Sequence, residues 1–253
     1  MLVELRFHGQ LNDLLAAVER GRLVHRSVHG IPAVKDVIES IGVPHVEVGA
    51  VIAGGRPVTL DAPVPSGSRV HVYPPGHPTL GRLAGCLGNE PDADPRPARF
   101  VVDGHLGRLA AYLRMLGFDT LWSATATDDA LADLAGRDDR ILLSRDRGLL
   151  KRTIVHRGHL VRSDRPHEQL REIVDRYDLV GQSRPFGRCL RCNGSLEPVD
   201  AAIARPLVPP RVAREQEDFR RCAACGGLYW RGSHHRRMVE LIQTVLPEVR
   251  LVE

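Results

Sequence analysis

The sequence predicts an α/β chain in three parts: a small mixed β unit over residues 1–75, an alternating β/α domain over 99–182, and a zinc ribbon with a C-terminal tail over 183–253. Three observations predict it. Near the N-terminus the apolar patterns run strand, strand, helix, strand, strand. From Arg99 strands and helices alternate, which argues for a mostly parallel sheet covered by helices. Near the C-terminus stand two Cys-x2-Cys pairs.

In the first part, LVELRFH (2–8) and RLVHRSV (22–28) alternate as half-buried strands do, and AVKDVIESI (33–41) has helical spacing. VEVGAVI (46–52) reads as a strand, Gly54-Gly55 as a tight turn, and RVHVY (69–73) as the last strand. The ββαββ order fits a ubiquitin-like β-grasp domain. Residues 76–98, dense in Pro, Gly and Asp, are expected to be a linker. Cys86 lies there without a partner at metal-ligand spacing and is expected to be a bystander thiol.

In the second part, strands are expected at 99–102, 120–123, 140–144 and 159–162, and helices at 105–117, 128–136 and 166–177. Parallel α/β sheets place functional groups just past the carboxyl ends of their strands. Asp103 directly follows Val101-Val102, Asp146 follows Ile141-Leu142-Leu143 after two residues, and Asp164 follows Leu160-Val161. Asp128 and Asp129 open the helix at 128–136, one to cap it and the other free to face the same cleft. Carboxylates gathered at one edge repel one another and call for cations, and hard oxygen ligands favour Mg²⁺ or Mn²⁺, with Asp103, Asp128 and Asp146 as the expected ligands. Such a cleft suits phosphodiester hydrolysis. Asp119 precedes its strand and reads as structural. Arg145 and Arg147 flank Asp146 and serve either substrate phosphate or ion pairs with nearby acids.

In the third part, Cys189-Leu-Arg-Cys192 and Cys222-Ala-Ala-Cys225 have 29 residues between the pairs. A two-residue gap lets both sulfurs of a knuckle meet one tetrahedral ion, and the glycines that follow let backbone amides approach the thiolates. A closed site of four cysteines has no open position, so its zinc folds the segment rather than catalysing. A redox reading explains one pair and leaves the other idle. The tail then interleaves aromatic and basic residues: Tyr229, Trp230, Arg231, His234 and Arg236 suit a nucleic-acid surface, while Tyr229 and Trp230 equally suit packing beside the knuckle.

Composition agrees. At 43% hydrophobic and 26% charged, the 253-residue chain is neither disordered nor a membrane protein, and no apolar run approaches the roughly 18–20 residues of a span. The N-terminus lacks a signal-peptide pattern, so a cytoplasmic location is expected. The formal charge of +4 concentrates in residues 183–253, which suits a polyanionic partner such as RNA.

FVVDGHLGRLAAYLRMLGFDT (100–120), DDALADLA (128–135), RILLSRDRGLL (140–150), the cysteine pairs and LYWRGSHHRRM (228–238) together resemble the Mut7-C ribonucleases, in which a PIN-like domain carries its own zinc ribbon. VKDVIESIGVPHVEVGAVIAGGRPV (34–58) looks like the ubiquitin-like domain fused to them. The resemblance implies a PIN-like three-layer fold and a metal-dependent ribonuclease whose acids map onto Asp103, Asp128 or Asp129, Asp146 and Asp164. It also suggests a partner-binding or regulatory role for the first domain. Ser144 stands where the family often has Thr. The rival expectations are an RNA-binding adaptor with little nuclease activity and a scaffold related to sulfur carriers; the latter is disfavoured because Gly54-Gly55 is not a free C-terminus.

Overall fold

The computed structural model describes residues 1–65, 67, 69–83 and 97–251. Cys86 and most of the expected linker lie outside the described residues.

The N-terminal sheet contains β1 (Leu2–Phe7), β2 (Leu23–Ser27), β3 (Ala50–Ala53), β4 (Arg56–Val58) and β5 (Arg69–Tyr73), ordered β2-β1-β5-β3-β4. Strands β1 and β5 are parallel and the other pairs antiparallel. Alternation along β1 buries Val3, Leu5 and Phe7. Helix α1 (Val34–Ile41) buries Val34, Val37, Ile38 and Ile41, one face at helical spacing. The β3–β4 turn uses Gly54 and Gly55 at φ of 58° and 79°, a backbone that only glycine adopts without strain at both positions.

Two details depart from the expected elements. The strand expected from 46 begins at Ala50, because His45–Glu47 is a 3₁₀ turn. Val-Glu-Val reads as alternation only if Glu47 faces water, and Glu47 is 1% exposed. Inside the expected linker, Pro78–Leu83 forms a short helix, α2, with Leu80 packed on Ala50 and Tyr73. Its two turns are too short for their period to stand out among prolines and glycines.

Next come β6 (Arg99–Val102), α3 (Gly107–Met115), β7 (Asp119–Trp122), α4 (Asp128–Arg137), β8 (Ile141–Ser144), α5 (Arg147–Leu150), β9 (Gly158–Leu160) and α6 (Pro166–Arg176). The strands form a parallel four-stranded sheet, ordered β7-β6-β8-β9. Strands β6 and β8 are fully apolar apart from Arg99 and Ser144, as strands covered on both faces should be. The four-residue α5 has no periodic signature and was not expected.

The ribbon contains β10 (Leu196–Val199), α7 (Ala201–Ala204), α8 (Pro210–Glu215), β11 (Phe219–Cys222) and β12 (Leu228–Trp230), with β10-β11-β12 in one antiparallel sheet, and α9 (Ser233–Val245) follows. The unusually long spacer between the cysteine pairs holds β10, α7 and α8.

The chain forms two compact units, residues 1–96 with 128–160 and residues 97–127 with 161–253. In the first, the β-grasp sheet and residues 128–160 share an interior. Glu47 accepts a 2.6 Å hydrogen bond from the Leu160 backbone N–H and lies 3.0 Å from His159 Nδ1, both side chains being 1% exposed. His45 pairs with Glu39 at 2.7 Å and meets the Val155 carbonyl at 2.8 Å, while Lys151 Nζ donates to the Glu39 carbonyl. In the second unit, Gly117 ends the α3 segment at φ 94°, where a Cβ would sit 2.1 Å from the Arg184 carbonyl oxygen. No side chain fits there.

Candidate catalytic acids and the four-cysteine centre

The local sequence places two of the strand-end acids, Asp103 and Asp146, at the start of a short helical turn. In the second unit, Asp103 follows β6 and accepts from the His105 backbone N–H at 3.4 Å, capping the turn Gly104–Leu106. Asp164 is exposed, two residues before α6. In the first unit, Asp146 caps α5 by accepting from the Gly148 N–H at 2.6 Å, and its own N–H donates to the Ser144 hydroxyl at 2.9 Å. Ser144 therefore supplies a hydroxyl where Thr also would. Asp128 and Asp129 both occupy the first turn of α4, and Asp129 pairs with Arg152. That pair raises the Arg152 pKa.

The basic residues beside Asp146 diverge. Arg145 is exposed, whereas Arg147 Nη1 donates to the carbonyls of Leu14 at 2.8 Å and Gly42 at 3.3 Å, tying α5 to the β-grasp domain.

The four cysteine sulfurs all lie within 4.8 Å of one another, with Cys189–Cys225 at 3.8 Å and Cys192–Cys222 at 3.4 Å. Zinc–sulfur bonds of about 2.3 Å in a tetrahedron place sulfurs about 3.8 Å apart, so the set fits zinc. The two knuckles repeat one backbone pattern. The Cys189 N–H donates to the Gly194 carbonyl and the Asn193 N–H to the Cys189 carbonyl; the Cys222 N–H donates to the Gly227 carbonyl and the Gly226 N–H to the Cys222 carbonyl. Asn193 and Gly226 hold the same turn position at φ of 68° and 70°, in the left-handed region that Asn and Gly tolerate best.

The electrostatics of the cluster are compatible with a cation. The Gly227 amide, with Cys192 and Arg191, draws the Cys225 thiol down to about 6. The Gly194 amide favours the Cys192 thiolate, but Cys222, Cys225, burial and Cys189 outweigh it and push that thiol up to about 12. Several thiolates this close repel one another, so a bound cation suits the cluster. Tyr229 lies 2.9 Å from Cys189 Sγ through its hydroxyl, and burial together with that sulfur raises the hydroxyl's pKa, keeping it a donor.

Sequence reasoning missed the residues that seat the first knuckle. Asn193 accepts from the Thr120 N–H at 2.9 Å and donates to Asp119 at 2.8 Å, while Arg114 donates to the carbonyls of Thr120, Leu190 and Arg191. Thr120 lies on the sheet's edge strand β7, and these bonds satisfy its backbone groups where a neighbouring strand would. Asp119, expected to be structural, accepts the Asn193 bond at the start of β7. The signal for Asn193 was present: Cys-x2-Cys-Asn-Gly matches Cys-x2-Cys-Gly-Gly position by position.

Beyond the knuckles, a concave groove of about 960 Å³ is lined by residues of the ribbon and α9. Trp230, Arg231 and His234 line it; Arg231 also lies 3.3 Å from Asp218, and Arg236 is exposed on α9.

A mixed β-grasp sheet, a parallel sheet with helices and a four-cysteine ribbon define an α/β protein with a zinc-compatible centre. Residues 98–242 match the Mut7-C RNAse domain and residues 1–79 match the Mut7-C ubiquitin domain. The chain belongs to the Mut7-C RNase family, and its RNase domain implies an RNA substrate. Neither the comparison with curated proteins nor that with solved structures gave a match. Among the described residues no helix is long and apolar enough to cross a membrane.

Proposed function

We propose that this chain is a metal-dependent ribonuclease in which Asp103, Asp128 and Asp146 hold Mg²⁺ or Mn²⁺, Asp129 and Asp164 add carboxylates, and the zinc ribbon assists RNA binding. The observation that carries the reading is the family match over 98–242, within which two acids follow sheet strands and cap the turn that comes next. Each cap bond holds its carboxylate in one rotamer, which suits a ligand that must meet an ion without reorganising. The donor set is all carboxylate, the chemistry that hard divalent cations select. When bound, such ions neutralise phosphate charge and make water acidic enough to attack at neutral pH. The aspartates act by holding charge in place and form no covalent bond. Arg145 serves the RNA backbone, and the β-grasp domain offers a surface for a protein partner. Asp129 already has a cationic neighbour in Arg152, so it contributes less than Asp128.

End-labelled RNA incubated with Mg²⁺ or Mn²⁺ tests this. Asp103→Asn and Asp146→Asn should each lower cleavage at least about a hundredfold, above the roughly 10–100-fold range seen when an outer partner of a metal site is lost. Wild-type rates in both variants would exclude these acids. The ribbon's basic groove favours a second reading, an RNA-binding adaptor; RNA retained but uncleaved by the wild type with either ion would establish it.

A further inference from the structure

The groove beside the ribbon contains more than a basic surface needs. Along it the aromatic rings of Phe186, Trp230 and His235 accompany the guanidinium groups of Arg188, Arg220 and Arg231. Asp218 is the one carboxylate among the lining residues. Met238 and Val239 of α9 add an apolar wall.

Phe186 sits at φ 60°, a backbone region that bulky residues avoid because it costs free energy. Its N–H donates to the Met115 carbonyl at 2.8 Å, which fixes the bend, and its ring centroid lies 4.3 Å from that of His235. Burial and the neighbouring Arg231 lower the His235 pKa, which favours the neutral imidazole. Tyr229 differs from these rings, because its hydroxyl is committed to Cys189. Trp230 is only half-buried, and its indole lies within 3 Å of where a Cβ on Gly232 would stand, so the glycine leaves it room.

Aromatic faces beside guanidinium groups match the two recurring parts of a nucleotide, a flat base and a phosphate. In a duplex the bases are already stacked on one another, so only an unpaired strand can lay a base against Trp230. We propose that this groove binds single-stranded RNA by stacking unpaired bases on Trp230 and the Phe186–His235 pair while Arg188, Arg220 and Arg231 hold the phosphates. The proposal rests on the ribonuclease reading for the choice of RNA, and it gives the ribbon the task of selecting unpaired substrate.

The test measures binding of a fluorescein-labelled single-stranded RNA decamer, and of the same decamer in a duplex, to the zinc-loaded full chain by fluorescence anisotropy. Mg²⁺ and Mn²⁺ are omitted, so nothing is cleaved. The single strand should bind more tightly than the duplex. Trp230→Leu should weaken it about tenfold, within the range for losing one stacked base, while Trp230→Phe keeps most of the affinity. Arg220→Gln should lower the slope of log K against log salt by about 0.7, the value for one phosphate contact to a single strand. Four thiols protected per chain in the variants would show that the ribbon stays folded.

Duplex bound as tightly as single strand overturns the proposal, as does Trp230→Leu binding within twofold of wild type. Because binding is read without Mg²⁺ or Mn²⁺ and cleavage by Asp103→Asn is read with them, failure of the groove and failure of the catalytic assignment are separate results.

Discussion

The β-grasp domain and the zinc ribbon are each joined to a piece of the nuclease fold, and the two seams use opposite charges. In the first unit a buried carboxylate, Glu47, receives the Leu160 N–H and stands against His159. In the second a buried guanidinium, Arg114, donates to three backbone carbonyls while Asn193 completes the edge of β7. In each seam a buried ionisable side chain meets backbone groups, the Leu160 N–H for Glu47 and three carbonyls for Arg114, that lose their partner if it is removed. Such a group is expensive to strand, so removing its partners should be costly. A further difference is that the ribbon gathers its small core around a zinc-compatible cluster of four cysteines, whereas the β-grasp sheet has an apolar core of its own.

Removing zinc should produce the largest effect. Structural zinc contributes on the order of 10 kcal/mol to folding such a segment, so chelation should melt the ribbon and leave the first unit folded. Thiol titration with an aromatic disulfide should rise from protected to reactive for four cysteines, and backbone exchange should accelerate in residues 183–253 but not in 1–75. Uniform acceleration across both units would break the comparison.

Glu47→Ala comes next. It strands the Leu160 N–H and His159, and should cost about 3–5 kcal/mol, read by urea denaturation. Glu47→Gln keeps an acceptor for the N–H and should cost less, about 1–3 kcal/mol. Equal losses in the two variants would show that shape rather than charge holds this seam.

The smallest effect belongs to Asn193→Gly. Glycine keeps the left-handed turn, so the knuckle should still hold zinc at full stoichiometry, but the bonds to Thr120 and Asp119 vanish, at about 1–3 kcal/mol. Asn193→Ala should add about 1 kcal/mol more, because a Cβ disfavours that backbone. A full loss of zinc in Asn193→Gly would mean that seam and metal centre are one device.

These seams explain which parts of the sequence were legible. Strands β1, β5, β6 and β8 and helices α1, α4 and α6 follow from apolar periodicity, which is local, and the cysteine pairs follow from a spacing that a tetrahedral ion dictates. The strand expected over 46–52 starts late, at Ala50, because Glu47 is buried in a turn by a partner 113 residues away. Asn193 was overlooked because its partners, Thr120 and Asp119, lie 73 and 74 residues away. Arg147, expected beside substrate phosphate or a neighbouring acid, reaches a carbonyl 133 residues distant. For the acids, the sequence placed Asp103 and Asp146 after strands, while their capping bonds appear only once the turns are formed.

By itself, then, the sequence determined the kinds of layers, the four ligands of the zinc-compatible centre and the strand-end position of the acids. Each depends on a period or spacing of a few residues. Only the tertiary structure decided that Glu47 and Arg114 are buried, that α5 leans on the β-grasp domain through Arg147, and that aromatic and basic residues of the ribbon and α9 line one groove. Those outcomes depend on which distant backbone groups remain to be satisfied after the layers pack, and no local pattern encodes that.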